Sequence, residues 1–431
     1  MNIPIKEWSK LSLSEKDMIL KRSEIDIDNV SQDVAKIIEK VKNGGDTAVR
    51  EFTLKFDKAD TADLPLLVSE EEFDKAEDEL SQSVKDAIRY AIENVMKFHE
   101  EQRPGNMNFC EIRPGVFAGE RALPVPSAGL YVPRGRGSFP SMLYMLAVPA
   151  VIAGVRDISI VTPPNPDGSI DMGCLYAALE CGVQNVYRAG GAQAVAALAY
   201  GTETIQPVSK IVGPGSMYVT AAKRLVSQTV DIGLPAGPSE SMILADEYAS
   251  VDRLILDLMT EAEHGSDSSA VLVTTSEKLA KEVASKMPGI IEELPEPRRT
   301  FVTDVFNGYG GIIIVRDIIS AADLVNDFAP EHLMIQCKEP FDVLSLIQNA
   351  GEILLGDNTP FSAANYLIGA NAVLPTGGKA KTYSAVSVRD FIKYSSVIYS
   401  TGIGFKGYKE HVEVLSEYEG FAAHKKAVTG R

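Results

Sequence analysis

Apolar residues recur at helical spacing early in the chain. Val34, Ile37, Ile38 and Val41 share one face of a segment from Asp28 to Phe56, broken by the turn Asn43-Gly44-Gly45. The same texture continues over Glu70 to Glu101, whereas the residues before Asp26 read as an arm with no core of its own. From Ala128 short β-branched runs alternate with amphipathic stretches. The predicted strands are Ile158–Thr162, Asn185–Arg188, Lys210–Val212, Ser241–Ala245, Ala270–Thr274, Gly311–Val315, Leu333–Gln336 and Glu352–Leu355. Such alternation predicts an α/β fold with parallel strands and crossover helices. A break at Ala236-Gly237-Pro238 divides the strands into two sheets. Past Thr382 short helices and turns return, and a piece this small must pack on something else to be stable.

A chain of 431 residues can build two cores, and 45% apolar with 23% charged residues is a globular composition. The formal charge of −17 argues against a broad nucleic-acid footprint, which needs clustered Lys and Arg, and against docking on an anionic membrane. An anionic substrate stays open, because a local field can oppose the net charge. The longest apolar stretch, Met142 to Val155, is interrupted by Pro149 and Gly154 and falls short of the roughly 20 residues that a membrane span needs. The opening MNIPIKEWSKLSLSEKD has no apolar signal core, and Cys110, Cys174, Cys181 and Cys337 show no ligand spacing. The expectation is a cytoplasmic protein with buried, reduced thiols.

Histidine is scarce. His99 and His411 lie in charged helical stretches and read as solvated. Glu261 and His264 are three apart near a helix end at Gly265, so they share a face. A carboxylate and an imidazole so placed make half a metal site; the alternative is a helix end whose His⁺ favours the C-terminal dipole. Glu331-His332 follows the helix-stopping Pro330 and precedes a strand. An adjacent acid and imidazole could act as acid and base, or simply stand in a solvated turn. His424, flanked by alanines near Glu419, is a weak signal alone. Three glycine-rich turns recur, at Arg134–Gly137, Ala189–Gln193 and Gly213–Ser216. The last two follow strands and precede helices, where backbone N–H groups can approach phosphate, although none is a strict G-x-G-x-x-G.

Several longer segments occur in one order from Gly129 to Ala427: GLYVPRG, YRAGGAQAVAALAYGTE, IVGPGSMYVTAAKRLV, AGPSE, EAEHGSDS, APEHL, AVLPTGGKA and EGFAAHKKA. Together they resemble the histidinol dehydrogenase family. The resemblance implies an α/β fold of two related, incomplete Rossmann-like domains with parallel sheets, plus small N- and C-terminal helical arms in an intertwined homodimer. The division it implies is an arm over 1–25, a metal and catalytic domain from 26–120 with 240–382, an NAD domain over 121–239, and an arm over 383–431 that completes the partner's site. The implied reaction is NAD-dependent oxidation of a small polar primary alcohol to the carboxylate through a bound aldehyde. His332 would be the general base and Glu331 would activate the water that adds to the aldehyde. Tyr131, Gln193 and Ser216 match cofactor contacts, the last where the family usually has Asn. Ser239, Tyr366 and Glu419 match substrate contacts, Glu419 coming from the neighbouring subunit.

Departures from the family pattern sharpen the expectation. The implied metal ligands are Glu261, His264, Asn365 and His424, the last from the second protomer. Gln has become Glu261 and Asp has become Asn365, so the ligand charge is conserved and metal binding is expected to survive, with zinc favoured and manganese open. Ala372 replaces a histidine that helps to hold histidinol. Arg134 and Arg136 stand where the family has a neutral glycine, and either could face an anion or solvent. These changes imply an alcohol other than histidinol, such as a dihydroxypropanesulfonate-type diol. True L-histidinol dehydrogenase is the alternative, and a metal- or nucleotide-binding protein without turnover is the alternative of another class.

Overall fold

The computed structural model describes residues 1–22, 28–134 and 137–431, so Arg136 lies outside the described residues. In chain order the strands are β1 (Ile5–Glu7), β2 (Met107–Arg113), β3 (Val116–Pro124), β4 (Ser127–Tyr131), β5 (Asp157–Thr162), β6 (Val186–Arg188) and β7 (Lys210–Val212). They continue as β8 (Glu240–Ala245), β9 (Ser269–Thr274), β10 (Gly311–Ile314), β11 (His332–Gln336), β12 (Glu352–Leu355) and β13 (Ile392–Ser400). A six-stranded sheet runs β1-β10-β9-β8-β11-β12 and a four-stranded sheet runs β6-β5-β4-β7. Every pairing in both is parallel. A third sheet, β13-β3-β2, is antiparallel.

Each strand predicted from the sequence is present, with ends within one residue of expectation. The antiparallel sheet was not predicted, and the reason is physical. β2 is exposed along its whole length and β13 nearly so, so neither carries the in–out alternation that marks a half-buried strand. The N-terminal segment also differs from expectation. β1 extends the large sheet beside β10, and Ile3 is buried in that sheet's core. The following helix, Leu13–Lys21, is started by a reciprocal capping box between Ser12 and Glu15.

The helical segment Asp28–Phe52, broken at Gly45 (φ 52°, ψ −138°) where the turn was expected, buries Val34, Ile37, Ile38 and Val41 in one core with the alanine-rich helix Gly191–Tyr200. Each such Val or Ile contributes roughly 1.5–3 kcal/mol by leaving water. The helix Gln82–Glu100 buries Ile88, Ile92 and Val95 in the same core as Leu143 and Leu146. Residues 28–100 therefore pack on the smaller sheet, not on the larger one with which 26–120 was grouped. His99 is also not solvated: it continues that inward face, is fully buried, and accepts or donates at Gln102 and Asn371. Of the cysteines, Cys174 and Cys181 are buried, while Cys110 on β2 is exposed. Among the described residues no helix is long and apolar enough to cross a membrane.

Candidate active site

The helix Val251–Ala262 carries Leu254, Ile255, Leu258 and Ala262 into the core of the large sheet, and the same face carries Glu261. This helix follows β8 and returns against it, so its last turn reaches the amino ends of the strands. There it meets Ser239, which precedes β8, and the Glu331-His332 pair at the start of β11. Pro330 ends the preceding segment after Ala329, which adopts a left-handed conformation (φ 51°). Gly351 is required here, since a Cβ on it would lie 2.5 Å from the Glu331 carbonyl oxygen.

Glu261 is wholly buried. Its Oε1 accepts from Asn365 Nδ2 at 2.6 Å. Its Oε2 accepts no hydrogen bond, yet lies 3.3 Å from His264 Nδ1 and 3.8 Å from His332 Nε2. Ser239 Oγ is 3.0 Å from His264 Nδ1. His332 is 3% exposed and Glu331 8%, so the pair is a buried site rather than a solvated turn. His332 Nδ1 is 2.5 Å from Glu352 Oε1, and its Nε2 is 3.7 Å from Glu331 Oε2. Glu331 Oε2 accepts from the Glu240 backbone N–H at 2.9 Å.

Charge in this cluster is finely opposed. Burial pushes the Glu331 carboxyl up to about 8; His332 opposes the shift, and Glu261 and Glu240 reinforce it. Burial disfavours the His332 imidazolium, but Glu261, Glu331 and Glu352 outweigh it and hold the ring up to about 10. Burial likewise raises Glu261, but His332, His264 and Asn365 prevail and lower it. An ionised, buried carboxylate oxygen without a donor, at the C-terminal end of a helix dipole, fits a bound cation. Among the described residues no three His, Cys, Asp or Glu side chains already form a closed metal cage. Glu261, His264 and Asn365 come together; His424 and Glu419 do not join them. Those two are exposed on the terminal helices Gly402–Tyr418 and Ala422–Thr429 and their connecting turn, where His424 packs against Phe421. Tyr366, 56% exposed, follows Asn365, and its carbonyl accepts from Tyr144 Oη at 2.6 Å.

Three participants escaped the sequence. Glu352 opens the apolar strand β12 and Glu240 opens β8. Arg22 donates to both Glu240 oxygens and to the carbonyls of Phe328 and Ala329, bracing the turn that carries the dyad. A charged residue at the first position of a buried strand was the available signal.

The other glycine turns gather at the carboxyl ends of the smaller sheet. Tyr131 ends β4, and its hydroxyl accepts from the Gly191 N–H at 3.0 Å. Gly213 has φ 129°, and a Cβ there would lie 2.1 Å from the Tyr131 carbonyl oxygen. Gln193 is fully buried; its Nε2 reaches Asp57 at 3.4 Å and its Oε1 has no partner. Ser216 is exposed and begins the helix Met217–Val226. Unpaired amide oxygen, tight glycine turns and two helix starts fit a dinucleotide. Arg134 spends its guanidinium on Pro164 and Asn165.

The family model for histidinol dehydrogenase matches residues 20–431. A histidinol dehydrogenase homolog of Rhizobium meliloti is 49% identical over 98% of this chain and 93% of its own. A histidinol dehydrogenase of Synechocystis sp. is 48% identical over 99% and 98%. The crystal structure of histidinol dehydrogenase from Elizabethkingia anophelis superposes with a TM-score of 0.93 at 34% identity, covering 100% of this chain and 97% of that one. Matched over nearly its whole length in sequence and in backbone, the chain belongs to the histidinol dehydrogenase family.

Proposed function

We propose that this chain oxidises L-histidinol to the carboxylate through a bound aldehyde, with NAD as hydride acceptor and a divalent cation, zinc, held at Glu261. Enzymes of the family are NAD-dependent, zinc-binding oxidoreductases acting on CH–OH groups. Relatives named histidinol dehydrogenase at 48% and 43% identity support this substrate over the diol expected from the departures in sequence. The observation that carries the chemistry is the donorless Glu261 oxygen facing His332 Nε2 at 3.8 Å, beside Glu331.

Glu261, His264 and Asn365 would hold the cation, with His424 supplied by a second copy. A bound cation would supply charge that polarises a substrate hydroxyl or amine, and bound NAD would supply the hydride acceptor. A cation at Glu261 would cancel part of the negative charge that keeps the His332 ring protonated, and His332 would then take the hydroxyl proton at Nε2, since Nδ1 is committed to Glu352. Glu331, its carboxyl pushed up to about 8, would in its ionised form activate the water that adds to the aldehyde. Ser239 and Tyr366 would orient the substrate, joined by Glu419 from the second copy. Tyr131, Gln193 and Ser216 would hold NAD. Exposed Ile403, Leu415, Tyr418 and Phe421 on the terminal helices support a homodimer in which this arm packs on its partner.

Ala372 favours a second reading, a different polar alcohol. It packs against the apolar core and offers no hydrogen bond where the family has histidine. NADH formation over a panel of L-histidinol, amino alcohols and diols separates the readings. Turnover of L-histidinol that a chelator abolishes is the expected result. His332→Asn should lower kcat at least about 100-fold with Tm unchanged. A panel without turnover, or a His332→Asn variant at wild-type rate, sinks the reaction.

A further inference from the structure

We propose that Glu352 is a positioning residue that fixes the tautomer and orientation of the His332 base. The inference rests on the reading of His332 as that base. β11 and β12 are parallel neighbours, and their register sets Glu352 directly opposite His332. Glu352 is the one polar residue of a strand that continues Ile-Leu-Leu, and its side chain is 9% exposed. It points at the ring rather than at water: Oε1 is 2.5 Å from Nδ1. The Glu352 backbone N–H also donates to the Glu331 carbonyl at 3.0 Å, so one residue holds both members of the pair. Phe361 closes the ring's edge, 5.8 Å between centroids.

A carboxylate oxygen accepts from Nδ1–H, so it keeps a proton on Nδ1 and makes Nε2, which faces Glu261 and Glu331, the nitrogen that exchanges its proton with the substrate. The substrate hydroxyl proton then goes to Nε2, the Nδ1 proton stays where it is, and Glu352 gains none. Glutamine has the same size but a different effect. Its amide can turn its NH₂ to Nδ1 and draw the ring proton to Nε2, which hides the base.

The test uses the full chain with NAD and the alcohol turned over by wild type. Glu352→Gln should lose kcat roughly 100-fold, with KM for the alcohol within about twofold and with Tm and bound metal unchanged. Glu352→Asp, which restores a carboxylate at shorter reach, should recover part of the loss. A merely structural role predicts the reverse, with the isosteric Gln active and the shorter Asp impaired. Glu352→Gln within threefold of wild-type kcat, or Asp no better than Gln, overturns the proposal. If His332→Asn is dead while Glu352→Gln is fully active, only the positioning role fails. If wild type turns over no alcohol, the underlying reaction fails with it.

Discussion

In the four-stranded sheet the glycine turns stand at the carboxyl ends of β6 and β7, whereas in the six-stranded sheet the titratable side chains stand at the amino ends of β8, β11 and β12. The strand–helix unit is the same, but the electrostatic setting is opposite. Carboxyl ends of parallel strands lead into helix N-termini, whose free N–H groups favour anions. Amino ends receive helix C-termini, whose free carbonyls favour cations. The edge with turns at Gly191 and Gly213 therefore suits an anionic dinucleotide. The edge holding Glu240, Glu261, Glu331 and Glu352 suits a metal ion and a proton-accepting imidazole. On the proposed reading, one strand order used twice would serve two ligands of opposite charge by presenting opposite edges.

If the two edges do separate jobs, they should fail separately. Gly213→Ala forces a Cβ to within 2.1 Å of the Tyr131 carbonyl in a backbone conformation that L side chains rarely adopt. We expect NAD affinity to fall at least about tenfold and stability by about 2–4 kcal/mol, while bound metal stays stoichiometric. Fluorescence titration with NADH beside metal analysis reads both. Loss of metal in this variant would mean that the edges are not independent.

On the other edge the carboxylate is expected to dominate. Glu261→Gln leaves a buried amide where charge would face the proposed cation, and should lower retained metal more than Asn365→Ala, which removes the proposed neutral ligand. Metal content of the two purified proteins after dialysis decides it, and equal content would count against Glu261 as the principal ligand. NAD affinity should be unchanged in both.

What could be read in the sequence divides along the same line. Eight strands of the two parallel sheets were legible because buried β-branched runs announce themselves locally, whereas the exposed β1 and the central β4, whose Ser127-Ala128-Gly129 start lacks such a run, were not. Glu261, His264, Glu331 and His332 were legible because each pair is close in sequence. Glu352 and Arg22 were not. Glu352 meets His332 from 20 residues away through strand register, and Arg22 meets Glu240 from 218 residues away. Register and long-range pairing are properties of the sheet, not of any local window. His99 shows a local signal outvoted: FHEE looks solvated, yet Ile88, Ile92, Val95 and His99 repeat at the spacing of one helix face.

The smallest effect concerns the charge that the smaller sheet buries. Lys223, on the helix that follows the Gly213 turn, is 6% exposed and donates to the Gly213 carbonyl at 3.1 Å. Burial pushes its ammonium from the usual 10.5 down to about 8, with Asp231 opposing. Because the folded value lies below the unfolded one, the unfolded chain holds more protons between those limits. Stability from this group therefore rises with pH over about 8 to 10.5, by at most about 3 kcal/mol, and at pH 7 the buried charge is a cost. Lys223→Met removes that cost but leaves the Gly213 carbonyl unpaired, about 1 kcal/mol in the other direction. The net expectation is a gain of about 1–2 kcal/mol at pH 7 that shrinks toward pH 10.5 and reverses there. Denaturant midpoints of both proteins across this range give the difference. A variant that is less stable at pH 7 would show that this ammonium is compensated where it sits, and that the glycine-turn edge tolerates buried charge as the carboxylate edge does.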